Sequence, residues 1–235
     1  MATAAAGNLV FVNTRFSCLS ELDTVDSFRV LWKPPFISEV APEFRCHLNG
    51  MCMDDGKPRF VTAISTADVP DGWRGERAET GVLVDVRADA VVMDALSMPH
   101  SPRIQNGSLW ILESGRGYLI KVDLKTFRRE DVVFSPGFLR GMSLVRNYAV
   151  VGISKGRETG FDGLAVGQSL EAIGLEPQCG VQIVDTERGV VAEWITFEGG
   201  IREIFAVELI PRVRYPKVFD FRSPGRIELA SMHQA

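Results

Sequence analysis

Short runs of apolar residues recur along the chain, each four to six residues long and each bounded by Gly, Asn, Asp or Ser. Leu9–Val12, Arg59–Ile64, Leu109–Leu112 and Tyr148–Ile153 are the clearest. They are rich in β-branched and aromatic residues, which suit a pleated, half-buried surface. Stretches with helical periodicity are scarce, and the best helix candidate is short, around Gly167 to Ile173. Many short strands with turn residues between them predict an all-β sandwich, barrel or propeller.

A repeat decides among these. Val10, Phe60, Trp110 and Val150 anchor successive runs at steps of 50, 50 and 40 residues. Each run leads through a Ser- or Thr-containing turn to a strand that ends in aspartate: Asp23, Asp85, Asp123 and Asp185. An outer strand follows each, over Phe28–Trp32, Ala90–Met93, Glu130–Phe134 and Val190–Phe197. A period of about 40 to 50 residues with four strands is the signature of propeller blades. The four aspartates are read as turn caps, because a carboxylate there can accept bonds from backbone N–H groups two residues on.

The expected fold is therefore one all-β domain over residues 1–235, a β-propeller of about four blades of four antiparallel strands. The blades fall at about 7–40, 44–95, 97–135 and 137–198. Few residues precede Leu9, so the first blade is expected to lack its inner strand. Residues 201–215 are expected to supply that strand and close the ring, which removes exposed sheet edges. The alternative is a shortened or partial form of a larger propeller.

Function in such a ring belongs to the inner strands, which line the central channel. Counting back from the anchors places His47–Met51, Pro99–Arg103 and Phe138–Met142 there, with Ile201–Phe205 as a fourth candidate. Asn49, His100 and Arg140 are expected at equivalent positions converging on the axis, joined by Glu203 or Arg202.

Composition narrows the partners. Hydrophobic residues are 46% of the chain, charged residues 24%, and the formal net charge is -4. That is ordinary for a soluble globular chain and gives a nucleic-acid partner no electrostatic support. No apolar run approaches the roughly 18 residues of a membrane helix, and Met1–Gly7 does not read as a signal peptide. Four sparse cysteines, Cys18, Cys46, Cys52 and Cys179, suit a reducing, cytoplasmic setting with free thiols, of which Cys18, Cys52 and Cys179 are expected to pack as small hydrophobes. Cys46, His47 and Cys52 match no zinc spacing, so no metal-ligand set is assigned. Cys46 would need a base and a lowered pKa to act as a nucleophile.

His100 is the candidate acid–base group, and Arg140 the candidate anion holder, since its planar fork reads carboxylate or phosphate. Asn13, Arg15, His47, Asn49, Ser101, Arg103 and Glu203 are candidate ligand contacts. Arg15, Arg103, Arg140, Lys155 and Arg157, with Glu113 and Glu158, read equally well as an anion site or as ion pairs tying blades together. The stretch 156–180 is the longest without strands and is expected to lie over one channel face. Two functions stay open. One is binding of a small anionic molecule in the channel, with hydrolase- or lactonase-like chemistry within reach. The other is a non-catalytic scaffold for a protein partner, anchored by Trp73 and Trp194. Enzyme status and oligomeric state are not decided by these features.

Several boxes occur together: Phe11-Val12-Asn13-Thr14-Arg15-Phe16-Ser17-Cys18-Leu19, Arg45-Cys46-His47-Leu48-Asn49-Gly50-Met51, Ser97-Met98-Pro99-His100-Ser101-Pro102-Arg103 and Pro136-Gly137-Phe138-Leu139-Arg140-Gly141. On these the chain resembles a family of conserved hypothetical, mostly bacterial proteins with a propeller-like domain of unknown function. The resemblance covers about Leu9 to Pro216 and implies no established reaction. It implies members that are longer at the N-terminus, with a His- and Asp-bearing inner strand before the Asn-Thr-Arg-Phe box. More distantly, His47–Gly56 followed by Phe60–Thr62 is similar to the Asn-Gly inner strand of gluconolactonase and senescence-marker-like propellers. That similarity implies a single divalent cation on the axis and lactone opening. Only Asn49 carries over, as a metal-ligating amide. Arg140 stands where an Asp would be wanted, and like charge disfavours a cation beside it.

Overall fold

The computed structural model describes residues 1–75, 77–156, 161 and 163–213. Four antiparallel sheets of four strands follow one another along the chain. The first holds β1 (Ala2–Thr3), β2 (Leu9–Asn13), β3 (Cys18–Leu22) and β4 (Phe28–Trp32). The second holds β5 (Leu48–Asp54), β6 (Lys57–Ala63), β7 (Gly81–Asp85) and β8 (Ala90–Leu96). The third holds β9 (Pro99–Gln105), β10 (Ser108–Glu113), β11 (Tyr118–Asp123) and β12 (Arg129–Phe134). The fourth holds β13 (Phe138–Val145), β14 (Tyr148–Ser154), β15 (Gly180–Asp185) and β16 (Val190–Thr196). Consecutive strands are neighbours in every sheet, so each is an up-and-down meander and the architecture is a four-bladed β-propeller.

The apolar alternation of the strands becomes sheet-on-sheet cores. Val10 and Leu19 of the first sheet pack with Leu48, Val61 and Val84 of the second. Phe60 and Leu83 pack with Leu109, Ile111 and Ile120 of the third. Leu112 and Leu119 pack with Leu139, Met142 and Val151 of the fourth. Among the described residues, no buried cluster joins the fourth sheet to the first.

The four aspartates at the outer corners share one geometry. Asp23 Oδ1 accepts from the amides of Val25 and Asp26, and Asp85 Oδ1 from those of Arg87 and Ala88. Asp123 Oδ1 accepts from Lys125 and Thr126, and Asp185 Oδ1 from Glu187 and Arg188. Each carboxylate thus satisfies the N–H groups two and three residues on, where the strand turns and the ladder can no longer do so.

Ring closure differs from the sequence expectation. The inner strand of the first sheet is β1, paired through Ala2 with Val10 and through Thr3 with Leu9. A tight turn makes this possible: Ala4 donates to Asn8 O at 2.8 Å and Gly7 to Ala4 O at 2.9 Å. The place expected for residues 201–215 is therefore already filled. The described part of that segment, through Val213, contains no strand. It runs instead over the fourth sheet. Lys155 N donates to Arg202 O, Ile204 exchanges bonds with the Ser154 hydroxyl, and Leu209 N donates to Ser143 Oγ. Gly141 and Gly152 admit this strap, since a methyl at Gly141 would collide with Ala206 and Val207. One at Gly152 would collide with the Arg140 carbonyl and the Ile204 side chain.

The predicted short helix is α1 (Ala165–Ile173), ended by Gly174 at φ 65°. Val166 and Leu170 pack with Ile64, Trp73 and Met98, which lays the helix against loops of the second and third blades. Among the described residues no helix is long and apolar enough to cross a membrane.

Candidate functional site

The inner strands β5, β9 and β13 each carry one extra residue where the register slips. The slip falls between Leu48 and Gly50, between His100 and Arg103, and between Arg140 and Met142. Leu48 faces Ala63, His100 faces Leu112 and Arg140 faces Gly152. His100 and Arg140 thus share one level of the axis, with His47 of the segment before β5 beside them, whereas Leu48 is buried in the core between the first two sheets. Asn49 belongs one level further on, beside Ser101 and Gly141. Counting without the bulges put Asn49 level with His100, and a bulge shifts the register by one.

The bulge level is a set of ties. Asn49 Nδ2 donates to Pro99 O at 2.9 Å and its Oδ1 accepts from Thr62 Oγ1 at 2.7 Å. Gly141 N donates to Ser101 Oγ at 3.2 Å. Three blades are joined here, and the Asn49 amide has its oxygen and nitrogen engaged. Ser101 adopts φ 52° to make its contact, a left-handed conformation that costs a non-glycine residue about 1 kcal/mol.

This level separates two chambers. The near one, of about 270 Å³, is lined by the starts of the inner strands. His100 is buried, with Nδ1 2.9 Å from Met98 O and 3.1 Å from Ser114 Oγ. A carbonyl oxygen only accepts, and the Ser114 hydroxyl donates to Leu139 O at 2.6 Å. Nδ1 therefore carries the proton and Nε2 keeps its lone pair. Burial, reinforced by the Arg140 charge, lowers the pKa of this imidazole to about 3. At neutral pH it is an uncharged hydrogen-bonding group.

Arg140 pairs with Glu203 at 3.5 Å, and its guanidinium lies 5.1 Å from the ring centres of both Phe138 and Phe205. The strap thus supplies a carboxylate and an aromatic ring to this arginine. His47, at φ 51°, stacks on Trp73 with ring centres 4.1 Å apart. Trp73 is buried, which removes it as an exposed partner anchor, whereas Trp194 is 65% exposed. The described lining also includes Arg74, Arg77 and Lys155, with Glu203 as its one carboxylate. Phe161 and Leu164, from the stretch before α1, complete the wall, as expected for a segment lying over one face.

The remaining candidates are dispersed. Arg103 lines the far chamber with Asn49 and Ser101. Asn13 precedes a single 3₁₀ turn, and Arg15 is exposed, its Nε 3.5 Å from Pro42 O. Neither lines a chamber. Glu113 is an ion-pair tie, fully buried and bonded to Arg116 at 2.8 Å, Arg129 at 3.0 Å and the Ser97 amide. All four cysteines are free and buried, and burial raises the Cys46 and Cys52 thiols to about 11, so neither is an activated nucleophile. Among the described residues no three His, Cys, Asp or Glu side chains converge as a metal set. Arg157, Glu158, Asp162 and His233 lie outside the described residues. Arg74, Arg77 and Lys155 complete the charge of the near chamber. They come from loops that no repeat position marks, and only Lys155 stood out in the sequence, as one of several bases near the channel.

A family profile described as "Domain of unknown function (DUF4915)" matches residues 1–219. No curated protein matches the chain. Among solved structures, the computationally designed Ika4 protein is 11% identical, over 70% of this chain and 81% of its own, at a TM-score of 0.41. Kuenenia stuttgartiensis hydrazine synthase is 11% identical over 83% of this chain and 47% of its own, at 0.48. Dihydro-heme d1 dehydrogenase NirN in complex with DHE is 16% identical over 83% of this chain and 36% of its own, at 0.46. The chain spans less than half the length of these last two. At such scores the fold rests on the four sheets themselves.

Proposed function

The chain belongs to the family Domain of unknown function (DUF4915), and from its own near chamber we propose that it binds a small anionic ligand at that mouth of the axis. The charge balance carries this reading: among the described lining residues Arg74, Arg77, Arg140 and Lys155 stand against one carboxylate, Glu203, with Arg74 also paired to Asp71 at 2.8 Å. An anion entering gains from that excess, and the neutral Nε2 of His100 offers an acceptor to a ligand hydroxyl. Phe138, Phe161 and Met98 give an apolar wall for the rest of the molecule. A volume of about 270 Å³ sits at the small end of ligand pockets and suits a compact metabolite. An imidazole held neutral is poorly matched to proton transfer near pH 7, so the reading is binding rather than hydrolysis.

Calorimetric titration of the full chain with citrate and with inorganic pyrophosphate tests it. The expected result is saturable binding by at least one of them, weakened at least tenfold in Arg140→Gln and in Lys155→Gln and weakened by added salt. No binding of either anion, or equal binding by both variants, overturns it. Trp194 and Ile195 are 65% and 56% exposed on β16 and favour a second reading, a protein-binding face on the fourth blade. A partner whose capture survives Arg140→Gln and is lost in Trp194→Ala would support that reading.

A further inference from the structure

The far chamber shares no lining residue with the near one and holds about 790 Å³, within the range of ligand sites. Arg103 is the only cationic side chain among its described lining residues. Its Nη1 donates to Pro102 O at 2.8 Å and to Met51 O at 3.3 Å. Among the described residues its Nε and Nη2 make no hydrogen bond, and no carboxylate lies within ion-pairing distance. Glu208 acts on it only from further away, its own Oε1 accepting from Ser143 Oγ at 3.4 Å. Withdrawal from water pushes this guanidinium below its ordinary pKa. Around it Phe11, Met51, Met53, Ile104, Phe205 and Val207 form an apolar part of the wall, beside Thr14, Asn49, Ser101 and the carboxylate of Glu208.

Arg103 is partly withdrawn from water, and a cation so placed with no carboxylate in contact gains from an anion brought against it. The donors left open, Nε–H and the Nη2 hydrogens, form the edge that grips a carboxylate by two parallel bonds. We propose that the far chamber binds a carboxylate with an apolar body. The carboxylate would sit on the Nε–Nη2 edge of Arg103, and the body against Phe11, Phe205, Met51 and Met53.

Titration of the full chain with decanoate, and with decan-1-ol as its neutral counterpart, tests this. Decanoate is expected to bind at least tenfold more tightly than the alcohol. Arg103→Met is expected to erase that preference and Arg103→Lys to reduce it, while Asp123→Ala leaves it intact. Methionine-methyl NMR of the unmodified chain gives the location without any variant. Decanoate is expected to shift Met51 and Met53 and leave Met98, which lines the near chamber, in place. No binding, equal affinity for acid and alcohol, or a shift at Met98 with Met51 and Met53 unmoved would each overturn the proposal. None of these outcomes depends on anion binding at Arg140.

Discussion

The outer corners of the four blades and the inner walls of the axis use the repeat in opposite ways. At the corners the same residue does the same thing four times, as Asp23, Asp85, Asp123 and Asp185 each cap two amides with one oxygen. At one end of the axis the corresponding segments hold His47, His100 and Arg140, an imidazole stacked on Trp73, a buried neutral imidazole and a guanidinium. Identity at equivalent positions marks a turn that any blade needs. Difference at equivalent positions marks a wall whose chemistry is shared out among blades.

The sharpest way to break this contrast is at His100. Its folded-state pKa of about 3 lies below the ordinary value of 6.5, so the unfolded chain binds a proton first as pH falls. The stability tied to this group is complete above about pH 6.5 and is lost as pH falls from there toward 3. Between pH 7 and 4.5 urea unfolding should cost the native chain roughly 3 kcal/mol more than His100→Asn, which keeps a donor for Met98 O. Equal slopes for the two proteins would show that the imidazole is not held neutral.

Asp85 sharpens the other side. It is the buried corner, with Arg59 at 2.8 Å besides its two amides. Asp85→Ala should lower stability by about 2–4 kcal/mol in urea unfolding and leave near-chamber anion binding as it was. A loss of binding at constant fold would erase the division between corner and wall. Gly152→Ala tests the strap: overpacking should cost about 1–3 kcal/mol and speed chymotryptic cleavage after Phe205. Unchanged proteolysis would show that the strap does not need this glycine.

Asp123→Ala should have the smallest effect, a fall in Tm of no more than about 2 °C, because this corner is exposed. Amide bonds hold the Asp123 carboxyl below the usual carboxylate range. Its contribution is therefore present above the unfolded pKa and lost as pH falls, so variant and native Tm should converge in acid. A constant difference down to pH 3 would contradict the capping role.

The corners were legible in the sequence because they are local, with every capped amide lying within three residues of its aspartate. The strands and the four-blade count were legible for the same reason, through apolar alternation and period. The site was legible only in part. His100 and Arg140 were picked out by counting, and the structure does put them at one level. Asn49 was misplaced by one level, because a single extra residue in a bulge leaves no mark in the spacing. The role of 201–215 was misread because β1 is only two residues long, and its pairing depends on the Ala5–Gly7 turn. Arg74 and Arg77 come from loops that no repeat position specifies.

The central claim is that the near chamber is a seat for an anion. Crystals of the full chain soaked in sodium selenate, with anomalous data at the selenium edge, test it most directly. The account predicts a selenium peak inside the near chamber within hydrogen-bonding reach of Arg140 or Lys155, lost in crystals of Arg140→Gln. Selenate confined to the outer surface, with the chamber empty at saturating soak, would contradict it.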